Sequence, residues 1–548
     1  MIDIDLTLQK QNFDAAIALT TEVVQKHTGY QPDLLTPDAE FETDLGVDSI
    51  VQMDIFVELM ERCSLPVNGE QLASVISIRD LTLKALSRLE GRPLPLPQVA
   101  ELHSKSQPVE QLQELIESTA SATLEENPSP LTDTRTMRDF ADLPNRDLFH
   151  KVGAFHEFYT QKRDAGHYWY GMPLESPCQN RAMIYDEVAG KSRKFLMFAS
   201  NNYLGLANDP RVLEAIRDAA VRYGATNTGC RLIGGSNVLH LELERKLAQL
   251  KGTEDSIVFP SGYSANLGTI SALLTNRDIV YTDAINHMSI QDGCKLSGAQ
   301  RRIYKHSLSS LERTLERSAD HDGGRLIVSD GVFSMHGDIV DLPRLLSIAK
   351  KYDAKLLIDD AHSTGVLGAT GSGTSEHFGL KGQIDLELGT FSKTLAGVGG
   401  FVAARADVVE YLRFYANSYV FAATIPAHVA AGLIQSIDLM IKEPERLKTL
   451  WRNIDHLKGK LLRAGFNLGD TQSAILPIVI GDDQLTLKFG QAVRHRGMFC
   501  QTVVFPGVAV GDARLRISVT SEHTVEDLDQ AADILIESAR ETGVTTDE

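Results

Sequence analysis

The chain has 548 residues, 43% of them hydrophobic, which is too long for one compact core and suggests two or more domains. Acidic residues outnumber basic ones by 73 to 54, and the formal net charge of −19 argues against nonspecific nucleic-acid binding. No apolar run approaches the roughly 20 residues needed to span a bilayer. The start, MIDIDLTLQKQNFD, is acidic where a secretory signal would be basic, and the five scattered cysteines (Cys63, Cys178, Cys230, Cys294, Cys500) lack CxxC spacing, so a cytoplasmic location with reduced thiols and no metal site is expected.

The charge is unevenly spread. Residues 1–90 hold sixteen Asp or Glu against six Lys or Arg, a net of −10, which marks a separate acidic surface. Within it, residues 41–60 read FETDLGVDSIVQMDIFVELM, an acidic loop that ends at Asp48-Ser49 and passes into a helix. Ile50, Met53, Phe56, Val57 and Met60 share one face at helical spacing, which places Asp54, Glu58 and Glu61 outside. Taken alone, Ser49 is a helix cap. The run Asp44-Leu45-Gly46-Val47-Asp48-Ser49-Ile50, in an acidic segment of this length with a four-helix pattern, resembles an acyl or peptidyl carrier protein. The resemblance implies that Ser49 carries 4′-phosphopantetheine, installed by a phosphopantetheinyl transferase. A helix N-terminus tolerates the phosphodiester, and Gly46 lets the backbone turn beside it.

GRPLPLPQ after Glu90 opens a polar stretch that runs through STASATLEENPSPLTDTRT, so residues 91–145 are expected to be a linker, with room for a short helix at Val109–Thr119. From residue 146 onward, apolar β-branched runs alternate with helical patterns: DSIVF, RDIVYT, RLIVSDGVF, KLLIDDA, LELGTFS and GGFVAA. That alternation predicts an α/β domain with a mostly parallel sheet over about 200–440. A charged helix in IKEPERLKTLWRNIDHLKGKLLRAG, strands in ILPIVI and RLRISV, and a closing helix in TVEDLDQAADILIESA predict a small α+β domain over 441–548.

Two clusters carry chemistry. In DLELGTFSKTLAGVGG, Lys393 follows a strand and precedes a glycine-rich turn, an apolar setting for Schiff-base chemistry, with Thr390 and Ser392 offering hydroxyls to a phosphate. In KLLIDDAHSTG, an apolar strand delivers Asp359 at its carboxyl end, followed by His362. Alone, Asp359 could be a metal ligand, a helix cap or an ion-pair partner. Paired with a Schiff-base lysine it could hold the pyridine nitrogen of pyridoxal 5′-phosphate (PLP) protonated.

Residues from about 150 onward resemble the α-oxoamine synthases, PLP enzymes of fold type I that include 5-aminolevulinate synthase, 8-amino-7-oxononanoate synthase and serine palmitoyltransferase. Eight blocks carry the likeness in order: ASNNYLGLANDP, ATNTGCRLIGGSNVLHLELE, FPSGYSAN, NHMSIQDG, SDGVFSMHGD, IDDAHSTGVLGATGSGTSEHFG, GTFSKTLAG and ARLRISVTSEHTVEDLD. The resemblance implies that Lys393 binds PLP covalently, Asp359 pairs with the ring nitrogen, His362 contacts the phenolic oxygen and His287 stacks on the ring. It places the phosphate on Ser261, Gly262, Tyr263, Thr390 and Ser392, with Thr424 reaching over from the neighbouring subunit of a homodimer, although Ala422 and Ala423 replace hydroxyls often found there. Arg516 and Asn201 would hold the substrate carboxylate. Arg514 is the weaker candidate for that clamp and otherwise a plain strand arginine on an exposed face.

The implied reaction is a decarboxylative condensation of an amino acid with an acyl thioester held on the carrier or on CoA, giving an α-amino ketone. Serine with a long acyl chain, yielding a 3-ketosphinganine-like product, stands narrowly ahead of glycine or alanine. An 8-amino-7-oxononanoate synthase-type reaction, another PLP activity such as transamination, and a noncatalytic carrier scaffold are the alternatives.

Overall fold

The computed structural model describes residues 2–28, 35–39, 41, 49–63, 77–88, 135, 137–141, 143, 145–166 and 170–544. They fall in two compact units, the first within residues 1–168 and the second built on 169–548.

In the first unit, α1 (Ile2–Thr28), α2 (Ser49–Arg62) and α3 (Ile78–Arg88) are the helices of the acidic segment among the described residues. Val23 and Val24 of α1, Ile55, Phe56, Leu59 and Met60 of α2, and Ile78 and Leu81 of α3 are buried. The buried face of α2 is thus centred on Ile55 and Leu59 as well as Phe56 and Met60, and Val57 is only half-buried. Glu58, expected outside, instead lies between helices: its carboxylate meets Lys26 at 2.9 Å, His27 at 2.7 Å and Arg62 at 2.7 Å. Burial alone would raise its pKa, but hydrogen bonds from these three partners hold it down at about 2. The expected helix at Val109–Thr119 lies outside the described residues. The stretch read as linker ends in a 3-10 turn at Met137–Phe140, where Phe140 packs on Phe155 and Phe158 of the helix His150–Asp164.

The second unit opens with a hairpin of β1 (Arg181–Asp186) and β2 (Lys191–Met197). Next come β3 (Asp255–Phe259), β4 (Ile279–Asp283), β5 (Gln300–Tyr304), β6 (Arg325–Asp330), β7 (Lys355–Asp359), β8 (Leu386–Thr390) and β9 (Gly400–Ala404). These seven form one sheet in the order β3-β9-β8-β7-β6-β4-β5. The run from β8 to β5 is parallel, whereas β9 is antiparallel to both its neighbours. Helices cover both faces, which is why the strands are continuous apolar runs and not alternating ones: every residue of β4, β8 and β9 is buried. The sheet is therefore mixed, with one antiparallel strand in an otherwise parallel core.

The carboxyl ends of β4, β6, β7 and β8 point to one edge and carry Asp283, Asp330, Asp359 and Thr390. Strand order reverses between β4 and β6, β4 connecting outward to β5 and β6 inward to β7, which opens a crevice suited to a ligand.

Beyond the sheet, β10 (Ile475–Gly481), β12 (Gln501–Val503) and β13 (Ala513–Ser518) form an antiparallel sheet in the order β10-β13-β12. The short β11 (Met498–Phe499) pairs in parallel with β2, so residues 181–197 join the C-terminal region, a pairing that no local pattern announces. The charged helix starts at Pro444, after a separate helix that ends at Lys442, because proline suits a first helical turn and not an interior. Thr524 and Asp527 cap the closing helix Val525–Thr542 reciprocally. No helix among the described residues is long and apolar enough to cross a membrane.

Candidate active site

A cleft of about 260 Å³ lies at the carboxyl edge of the seven-stranded sheet. Nine residues anticipated from the sequence line it: Ser261, Gly262, Tyr263, His287, Asp359, His362, Thr390, Ser392 and Lys393. Asp359 ends β7 and is fixed by two donors, Asn266 Nδ2 at 2.7 Å and the Ala361 N–H at 2.9 Å. The Asn266 amide also donates to Ser289 Oγ at 2.9 Å, and that hydroxyl meets His287 Nδ1 at 2.7 Å. His287 caps the helix Met288–Ser297 and remains exposed on the cleft wall.

Lys393 sits in the turn after β8. Burial pulls its proton affinity below the usual lysine range, opposed by Asp359 and Asp330 and reinforced by Arg516. A buried amine so placed is readily uncharged, as nucleophilic and proton-transfer chemistry requires. Burial, with the nearby charges of Lys393 and Arg516, also holds His362 neutral, well below the ordinary histidine range.

The other end of the cleft is an anion cup. Ser261 caps the helix Gly262–Leu273, accepting the Ser264 N–H at 2.9 Å, so the first turn presents free backbone N–H groups. A Cβ on Gly262 would stand 2.9 Å from Thr390 Cβ and Oγ1, which only glycine avoids. Thr390 Oγ1 and Ser392 Oγ lie 2.9 Å apart beside it. Tyr263 is exposed at the rim with its hydroxyl turned to Asp292, away from the cup.

Arg516 and Asn201 stand behind the cleft and are tied to it. Arg516 Nε donates to the Ser334 carbonyl at 2.5 Å, Nη1 to Gln501 Oε1 at 3.0 Å and Nη2 to Asn201 Oδ1 at 3.3 Å. Asn201 Oδ1 also accepts from Tyr203 Oη and Ser518 Oγ, and Tyr203 Oη lies 2.8 Å from His362 Nδ1. Asn201 Oδ1 thus meets more donors than it has lone pairs. Arg514 is not an exposed strand residue: it is 1% exposed and engaged with the Met335 carbonyl and Asp512.

Thr424 and Ser49 are also absent from the residues that line the cleft. Thr424 donates its N–H to the Gly229 carbonyl at 3.3 Å, beside an apolar groove lined by Ile233, Phe421, Ala422 and Ala423. Ser49 is the first residue of α2. Asn266, Tyr203, Ser289, Ser334 and Asp330 were not singled out from the sequence, although each stands inside or beside one of the motifs.

The residues present fit PLP. The cup suits its phosphate, Lys393 is a free amine within the cleft, and a buried carboxyl oxygen of Asp330 on the wall has no partner. Comparison with known proteins agrees. The profile of aminotransferase class I and II matches residues 193–535, and that of the phosphopantetheine attachment site matches residues 19–83. The chain belongs to the PLP-dependent α-oxoamine synthases, fused here to a carrier domain, and uses PLP and 4′-phosphopantetheine.

Among individual relatives, 4-hydroxy-2,2'-bipyrrole-5-methanol synthase PigH of Serratia sp. (strain ATCC 39006) is 59% identical over 96% of this chain and 81% of its own length. The 8-amino-7-oxononanoate synthase 1 of Bacillus subtilis (strain 168) is 42% identical over 66% of this chain and 93% of its own. A solved serine palmitoyltransferase with PLP superposes with a TM-score of 0.69 at 33% identity, covering 73% of this chain and all of that one. These likenesses make the chain a PLP-dependent enzyme that condenses an amino acid with an acyl group.

Proposed function

We propose that this enzyme joins serine to a 3-oxoacyl thioester held on the phosphopantetheine arm of Ser49, releasing carbon dioxide and the thiol. In this reading, residues 1–90 are the carrier, 91–145 the tether and 146–548 the synthase. The observation that carries the catalytic part is one cleft joining a buried amine whose proton affinity burial lowers, Lys393, to a carboxylate fixed by two donors, Asp359.

Bound PLP supplies an electron sink that stabilises a carbanion at the α-carbon of the amino acid. Asp359 keeps that sink electron-poor by pairing with the ring nitrogen, and His362, oriented by Tyr203, meets the phenolic oxygen. His287 packs against the ring. The Gly262 turn, Thr390 and Ser392 hold the phosphate. Arg516 and Asn201 take the substrate carboxylate, and Lys393 accepts the α-proton once its amine is free. The α-carbon then attacks the thioester carbonyl, and loss of the carboxyl group as carbon dioxide leaves an α-amino ketone.

The name of the PigH product supports serine and a 3-oxoacyl donor. Serine on R–CO–CH2–CO–S gives R–CO–CH2–CO–CH(NH2)–CH2OH. Closure of the amine onto the 3-oxo carbon, with loss of water, gives a pyrrole with hydroxymethyl beside nitrogen and hydroxyl next to it. With R a pyrrole ring, that is a 4-hydroxy-2,2'-bipyrrole-5-methanol. Serine with a long-chain acyl group is the second reading, favoured by a serine palmitoyltransferase of Sphingobacterium spiritivorum that is 42% identical.

Two further features support a homodimer with a tethered carrier. Ile233 and Phe421, 91% and 84% exposed, border the groove beside Thr424, an apolar face suited to a second copy that would bring Thr424 toward the partner's phosphate cup. A tether of about 50 residues, as the polar composition of 91–145 suggests, would span on the order of 35–45 Å and keep the thioester at an effective concentration toward roughly millimolar. The five free cysteines suit a cytoplasmic enzyme.

The test loads the arm with a 3-oxoacyl or a palmitoyl group and offers serine, alanine or glycine, reading products by mass. A cyclised product from serine and the 3-oxoacyl donor is expected. Turnover confined to palmitoyl donors, or preference for alanine or glycine, would reject the substrate assignment.

A further inference from the structure

The carboxyl ends of β6 and β7 set two acids side by side. Asp330 and Asp359 are register partners across the parallel ladder, are 4% and 5% exposed, and both line the cleft. Their surroundings differ. Asp359 accepts two short hydrogen bonds, from Asn266 and Ala361, whereas Oδ1 of Asp330 is buried without a partner. Two neighbouring carboxylates in a low-dielectric wall do not both stay ionised, and the one with the donors keeps the charge.

We propose that Asp330 is a positioning acid of this site: it stays protonated beside an ionised Asp359 and holds the proton of the pair through the condensation. The groups that face it are Asp359 on β7, Asp283 on β4, Tyr304 on β5, Lys393 after β8, and the backbone N–H of His287 at the head of the helix Met288–Ser297. Burial first, then the charges of Asp359 and Asp283, hold its proton affinity well above the carboxylate range, against the pull of Lys393 and the His287 N–H. Asp283 is itself partly offset by His306, 3.1 Å away.

Neutrality here has a consequence for the reaction. An ionised Asp330 would add a second negative charge to the wall, raise the proton affinity of Lys393 and oppose entry of the amino-acid carboxylate. Activity therefore falls when alkaline pH ionises Asp330. This inference rests on Asp359 being the partner of the ring nitrogen, so the experiment tests the two separately.

Holoenzyme variants Asp330→Asn, Asp330→Glu and Asp359→Asn are compared with wild type for kcat/KM against pH and for cofactor absorbance. In Asp330→Asn the alkaline limb of kcat/KM is expected to move up by about one pH unit, which makes the variant up to about tenfold faster than wild type on that limb. Asp330→Glu, which restores a titratable carboxyl, should bring the limb back. A loss of about tenfold or more at every pH in Asp330→Asn, with cofactor bound, would show that Asp330 works as an anion and overturn the proposal. So would a limb that does not move. Full activity in Asp359→Asn would instead overturn the ring-nitrogen assignment, whatever Asp330→Asn shows. If Asp330→Asn does not fold, infrared difference spectra of the wild-type protein, with and without PLP, decide the matter. A protonated-carboxyl band that disappears in step with kcat/KM supports the proposal, and absence of that band at neutral pH overturns it.

Discussion

Replacing Asn266 by alanine tests whether the ionised state of Asp359 is a product of the fold. Asn266 lies on the helix Gly262–Leu273, 1% exposed, and supplies one of two donors to the Asp359 carboxylate at 2.7 Å. Alanine removes that donor, leaves only the Ala361 N–H, and frees Ser289 Oγ from its amide contact. A hydrogen bond to a buried charged group contributes about 1.5–3 kcal/mol net. If that stabilisation is needed to hold Asp359 as the anion facing the ring, kcat/KM should fall by about ten- to a hundredfold. The assay is release of carbon dioxide and product under saturating PLP, with cofactor absorbance as the control for loading. A fully loaded Asn266→Ala enzyme with kcat/KM within about threefold of wild type would show that the Ala361 N–H alone suffices and refute the reasoning.

Lys393→Ala should fold and still take up PLP noncovalently through the Gly262 cup, with loss of the lysine-linked absorbance and of turnover; substantial turnover would remove Lys393 from its role. Ser49→Ala should lose the phosphopantetheine mass shift and carrier-dependent condensation while retaining cofactor absorbance, and free acyl-CoA at high concentration should partly bypass it. Full activity of Ser49→Ala at low donor concentration would separate the carrier from catalysis. In the carrier unit, the folded pKa of Glu58 lies below its ordinary value, at about 2 against 4.5. Its stabilisation is therefore present above about pH 4.5 and lost as pH falls toward 2, and Glu58→Gln should cost about 1 kcal/mol at neutral pH after solvent screening. Melting of the isolated mutation against pH in the full chain checks this, and an equal deficit at neutral pH and at pH 2 would contradict the ion-pair account.

Much of the sheet was legible because burial on both faces demands unbroken apolar strands. DSIVF, KLLIDD and GGFVAA announce β3, β7 and β9 for that reason. What local pattern does not encode is pairing across distance. QRRIY, half polar, gives little sign of being edge strand β5. The union of β2 with β11, some three hundred positions apart, depends on the Leu196–Met498 contact and on no local periodicity. Glu58 failed for a related reason: helical spacing put it off the core face, and only the return of α1 with Lys26 and His27 turns that flank into an interhelical ion cluster.

The site shows the same division more sharply. Lys393 and Asp359 stand out because one closely follows an apolar strand and the other ends one, in settings where a charged group is costly, so the local sequence already poses the chemical question. Their partners answer it from afar: Asn266 reaches Asp359 across 93 positions and Tyr203 reaches His362 across 159. Yet one signal was present in the chain itself. IVYTD, RLIVSD and KLLID each close an apolar strand on aspartate. Parallel neighbours with that pattern must bring their acids to the same edge, where a low dielectric lets only some of them keep a charge. Three such endings in succession therefore pose a proton-sharing problem before any ligand is considered, and the donors around Asp359, absent from Oδ1 of Asp330, are how this fold resolves it.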